Sequence, residues 1–135
     1  MHAFVTYCSA RKRSDEGLLP AIRRYQSSRI DRVYAAALQL GMAFFILSGE
    51  FGLLSPLQSI PWYDHLLKPD EVLALTDRVE AQIRRAEIAR LVYFTQSLAA
   101  APDVIPYHDV MVGACSRART DYLVVELDYV YQQGA

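Results

Sequence analysis

Two short stretches of this chain concentrate groups that can do chemistry. Cys8-Ser9-Ala10-Arg11-Lys12 presents a thiol, a hydroxyl and an amine within a few residues, and Ser48-Gly49-Glu50 with Trp62-Tyr63-Asp64-His65 adds a hydroxyl, two carboxylates, an imidazole and aromatic surface. Lysine is scarce. The chain holds only Lys12 and Lys68 among fourteen basic side chains, so Lys12 invites a role as nucleophile or phosphate contact. A nucleophilic amine must be uncharged, and the like charges of Arg11 and Arg13 work in that direction; a surface lysine in a basic loop is the competing reading. Cys8, at the end of an apolar segment, reads as a small core residue or as part of a pocket floor beside Ser9.

Ser48-Gly49 places a hydroxyl and a permissive backbone directly after an apolar run, where main-chain N–H groups can approach an anion or a base edge. Glu50 or Asp64 can act as a general base where burial favours its neutral form. Tyr63 offers a face for stacking a planar base, and His65 a second proton-carrying group. The alternative is an anchored loop, with Ile60 and Trp62 turned inward and Asp64 bonded to nearby backbone. The three histidines and two cysteines have no metal-ligand spacing, so neither a metal nor a cofactor is expected.

These residues need a frame. Ala3-Phe4-Val5-Thr6-Tyr7-Cys8 has strand composition. Ser28 followed by Asp31 resembles a capping box, and Ile30, Val33, Tyr34, Ala37 and Leu38 then recur at helical spacing before Gly41, predicting a helix from about Arg29 to Leu40. Ala43-Phe44-Phe45-Ile46-Leu47 is continuously apolar, as in a strand buried on both faces of a parallel sheet. Pro69-Asp70-Glu71 opens a helix with Val72, Leu75, Val79 and Ile83 on one stripe. Leu91 to Thr95 predicts a third strand. Asp109 to Arg119 fits a helix, and Tyr122 to Leu127 fits either a fourth strand or a terminal helix. The expected fold is a three-layer α/β domain over residues 1–135, with a mainly parallel sheet of about four strands. Right-handed crossovers would then gather the Ser9–Arg13, Ser48–His65 and Gln96-Ser97 loops at one sheet edge, where open α/β sheets bind ligands.

Composition narrows the partners. At 135 residues and 53% hydrophobic, the chain can bury its own core, and its apolar runs are too short to cross a bilayer. A cytoplasmic location with reduced cysteines is expected. The net charge of −1 argues against coating nucleic acid by bulk charge, but Arg11 to Arg32 holds seven basic residues against three acidic. A nucleotide or nucleic acid is therefore a candidate partner, with Arg11, Arg23, Arg24 and Arg29 as candidate phosphate contacts. The same arginines could also be solvated charges on a loop and a helix. Oligomeric state is not legible.

The first half of the chain resembles a family of small, uncharacterised bacterial and phage α/β domains. Those carry Cys-Ser-x-x-Lys, Ala-x-x-x-Tyr-x-Ser, Leu-Ser-x-x-Tyr-Gly-Leu-Leu and Pro-Tyr-Asp elements, matched here by Cys8 to Lys12, Ala21 to Ser27, Leu47 to Leu54 and Trp62-Tyr63-Asp64. Leu47 to Ile60 is also similar to the peroxide-stress YaaA family, which is DNA-associated. More distantly, the Cys8-to-Lys12 spacing resembles the archaeosine synthase catalytic domain, whose lysine engages a modified base; its following Pro-Tyr is Arg13-Ser14 here. Phe51 stands for the family's tyrosine and Trp62 for its proline, while Lys12, Ser48, Gly49, Tyr63 and Asp64 are retained. The resemblance implies a base- or nucleotide-binding α/β protein, with nucleophilic or N-glycosidic base processing, or alternatively a non-catalytic DNA-binding and stress-protection module.

Overall fold

The computed structural model describes residues 1–127; the final eight residues of the expected domain lie outside the described part. In chain order the elements are β1 (His2–Tyr7), β2 (Leu19–Pro20), α1 (Ala21–Arg24), α2 (Ser28–Leu40), β3 (Ala43–Ser48), β4 (Gly52–Leu54), β5 (Ser59–Ile60), α3 (Val72–Ala86), β6 (Arg90–Thr95), α4 (Ile105–Ala118) and β7 (Asp121–Glu126). Local chemistry explains the boundaries. Ser27, not Ser28, caps α2: its backbone is extended and its hydroxyl accepts from the Ile30 N–H at 3.2 Å, satisfying one of the helix's orphan donors. Before α3, Pro69–Glu71 forms a 3-10 turn, and the Glu71 carboxylate accepts from the Lys68 N–H at 2.9 Å.

Five strands form one sheet in the order β4-β3-β1-β6-β7, with β3, β1, β6 and β7 parallel and β4 antiparallel to β3. The three-layer, mainly parallel architecture is as expected, and β7 is a strand rather than a terminal helix. The β4 strand and a separate β2–β5 ribbon are additions; each is too short to produce a periodic hydrophobic signal.

Order and connection together create a crevice. From β1 the chain crosses through α2 to β3 on one side, then returns through α3 to β6 on the other side of β1. Right-handed crossovers running in opposite directions put α2 on one face and the packed pair α3 and α4 on the other. The connections from β1 and β6 part at their carboxyl ends, which is where doubly wound sheets bind ligands. Val5, Ile46, Leu91 and Tyr93 fill the sheet behind it, all buried.

Candidate functional site

The loop leaving β1 is held by backbone bonds. The Cys8 N–H donates to the Leu47 carbonyl at 2.9 Å, Gln26 N–H to Arg11 O at 2.9 Å and Arg13 N–H to Arg24 O at 2.8 Å. The Ser9 hydroxyl is turned back onto Arg11 O at 2.7 Å. Arg24 completes the clamp: fully buried, it donates to the carbonyls of Arg13, Asp15, Gly17 and Ile60 at 2.7–3.3 Å. Its expected role as a phosphate contact is therefore corrected, because both terminal nitrogens are spent on closing a loop and its Nε is buried without a partner.

A cavity of about 460 Å³ occupies the crevice. Tyr7, Cys8 and Gln96 line its sheet side, Tyr107 comes from the first turn of α4, Gln26 and Ser27 bring in the start of α2, and Lys12, Asp64 and His65 contribute from the loops. Arg29 also lines it, although it is only 6% exposed. Its guanidinium donates to Thr6 Oγ1 at 2.6 Å, Tyr7 O at 2.7 Å and Cys8 O at 3.2 Å, with Cζ 3.6 Å from the Tyr7 ring centroid. No carboxylate pairs with it among the described residues. Arg29 thus does not stand on the outer surface; its positive charge is delivered from beneath the cavity. An unneutralised buried charge of this kind favours an anion nearby.

Tyrosines surround the lysine. The Lys12 ammonium stands 4.6 Å from the Tyr63 ring centroid and 5.9 Å from that of Tyr25, close enough for cation–π attraction. Tyr25 and Tyr63 share a short hydrogen bond between their hydroxyls. Ser48 Oγ lies 2.8 Å from the Tyr63 hydroxyl and accepts from the N–H groups of Glu50 and Phe51, each at 3.1 Å. With both acceptor positions filled, Ser48 donates its proton to Tyr63. Burial pushes the Tyr25, Tyr63 and Tyr107 hydroxyls well above the ordinary tyrosine range, so they remain neutral and leave the charge of Lys12 and Arg29 uncancelled.

The turn after β3 serves this assembly rather than a ligand directly. Ser48 is fully buried behind Tyr63, which corrects its expected place in direct ligand contact. A Cβ at Gly49 would stand 3.2 Å from the Tyr107 hydroxyl and 3.3 Å from both His65 O and Leu67 Cβ, so the absent side chain lets the 61–68 strap lie against the turn. Neither residue lines the cavity. Glu50 is directed to His65 instead: His65 Nδ1 is 2.5 Å from Glu50 and Nε2 is 2.7 Å from Glu71. The hydrogen bond to Glu50, followed by that to Glu71, raises the His65 pKa despite partial burial. Because the carboxylates engage opposite ring nitrogens, they brace an imidazolium and do not converge on a metal position; no such three-ligand group occurs among the described residues.

The structure brings Cys8, Ser9, Arg11, Lys12, Asp64, His65 and Arg29 to one cavity. It leaves Arg23 exposed on α1, away from that lining. Asp64 is exposed at the rim. Ile60 is buried as an anchor, but Trp62 is 53% exposed and anchors nothing of the core. Sequence reasoning gave no site role to Tyr7, Tyr25 or Tyr107; Tyr7 sits beside Cys8 and Tyr25 is the tyrosine of the Ala21-to-Ser27 motif, whereas Tyr107 fell in a stretch without clear periodicity. Cys115 is elsewhere, buried in α4, where burial pushes its thiol up to about 11. No helix among the described residues is long and apolar enough to cross a membrane. No family model, curated protein or solved structure matches the chain.

Proposed function

We propose that the β1–β6 cavity binds a nucleotide, with its phosphate toward Lys12, Arg29 and the first turn of α2 and its base toward the tyrosine wall. The carrying observation is the buried Arg29 guanidinium, which lines the cavity without a carboxylate partner. Three features support the rest. Lys12 adds a second cation at the rim, the amino end of a thirteen-residue helix favours negative charge, and the Tyr7 and Tyr107 rings lie side by side with centroids 5.8 Å apart. The Tyr7 hydroxyl donates to Gln96 Oε1 at 2.6 Å, fixing the amide so that its NH₂ group is available to a base edge. Lys12 and Asp64, on which base-processing chemistry would rest, line the same space.

Calorimetric titration with the four common nucleoside monophosphates tests this reading. At least one should bind, inorganic phosphate should compete, and Lys12→Ala should weaken binding by about tenfold, the scale of one charge-assisted contact. Arg23→Ala should leave it unchanged. Failure of all four to bind at millimolar concentration would overturn the proposal. The DNA-binding module is the weaker reading, because Arg24 is consumed inside the fold and Arg29 is reached only from within the cavity. It would gain if duplex binding fell steeply with salt and responded to Arg11 and Arg23 but not to Lys12.

A further inference from the structure

A second cavity of about 470 Å³ opens between the 66–69 part of the strap and the start of α4. Leu66 and Asp103 line both cavities, so the two are neighbouring chambers with a shared partition. Their linings differ in character. The first presents Arg11, Lys12 and Arg29 against Asp64 and the shared Asp103. The second is walled by Val72, Ile105 and three prolines, with Asp103 and Asp109 outnumbering Lys68 on its rim.

We infer that the site takes a dinucleotide rather than a mononucleotide, with the second nucleoside lodged in this apolar chamber. This rests on the nucleotide reading above and specifies its substrate class. Charge complementarity selects the occupant. An acidic rim disfavours a further phosphate, but carboxylates accept hydrogen bonds from ribose hydroxyls and from exocyclic amino groups. Proline rings and branched side chains supply the apolar surface that a base face covers. The cationic chamber then holds the phosphate that joins the two nucleosides. Ile105 is 38% exposed and Leu66 56% exposed, as befits surface awaiting a ligand rather than core.

The test compares adenosine monophosphate with adenylyl-adenosine, two adenosines joined by one phosphodiester, by calorimetry on the full chain. The dinucleotide should bind about tenfold tighter, the gain from covering roughly one further base face. Ile105→Ala, which touches only the second chamber, should remove most of that preference and leave monophosphate affinity unchanged. Equal affinity for the two ligands, with the monophosphate still bound, would overturn the dinucleotide inference alone. A preference insensitive to Ile105→Ala would overturn it too, by placing the second nucleoside elsewhere. Absence of binding by both ligands would overturn the inference, while the nucleotide reading falls only if the other three monophosphates also fail to bind.

Discussion

The Arg29 guanidinium lies flat enough over Tyr7 to bring Cζ within 3.6 Å of the ring centroid while its N–H groups hold the Tyr7 and Cys8 carbonyls. One side chain from the first turn of α2 thereby ties the end of β1 to the helix and charges the cavity between them. Burial lowers the arginine's pKa, an effect that the neighbouring tyrosines oppose. The structural role and the proposed phosphate-binding role fall on the same side chain.

Replacing Arg29 by methionine would leave the carbonyls of Tyr7 and Cys8 and the Thr6 hydroxyl without their donor. The expected loss is about 3 kcal/mol of unfolding free energy, the scale for breaking a buried charged network. Arg29→Lys should recover little, since an ammonium lacks the planar fork that reaches three acceptors. Urea denaturation of both variants measures it; stability within about 0.5 kcal/mol of wild type, the ordinary range for surface changes, would show the contacts to be dispensable.

The histidine clasp gives the protein a pH signature. Contacts with Glu50 and Glu71 raise the His65 pKa above its ordinary value of 6.5, so folding favours the protonated ring. Its stabilisation is fully present below pH 6.5 and is lost as pH rises through the higher folded value. Glu71 moves the opposite way: the Lys68 N–H and His65 lower its pKa, so its contribution is lost as pH falls through the acid range. His65→Gln should flatten the alkaline decline in the urea midpoint between pH 6 and 9. A decline of unchanged steepness in that variant would assign it to another group.

Ser48→Ala removes the acceptor for two backbone N–H groups and the donor to Tyr63. A cost of about 2 kcal/mol is expected for leaving these part-buried groups unpaired. Tyr63→Phe tests the same chain from its other end, and because the two residues are in contact their effects should be less than additive. Additive losses in thermal denaturation of the double variant would mean that the hydroxyls act independently.

The strands β1, β3 and β6 were legible because apolar, β-branched and aromatic residues run together in each, and α2 and α3 because their buried residues recur at helical spacing. Serine at two adjacent positions hid the α2 cap, since Ser27 and Ser28 carry the same signal and only backbone geometry separates them. The site was half visible. Its loops could be named because parallel strands deliver their carboxyl ends to one edge. Which way an arginine turns was not readable: Arg23 and Arg24 are neighbours on α1, yet one is exposed and the other fully buried. Glu50 read as a candidate base because it follows Ser48-Gly49; its true neighbour, His65, arrives from fifteen residues away.

Among the described residues, the strap over the cavity is fastened by side chains: Tyr63 to Ser48 and Tyr25, His65 to two carboxylates, and the Leu67 N–H to the Tyr107 hydroxyl at 3.1 Å. Fastenings of that sort can release one by one, without unzipping any strand ladder. Amide exchange along the strap should consequently be governed by a small local unfastening energy while the sheet beneath keeps the protection of the whole molecule.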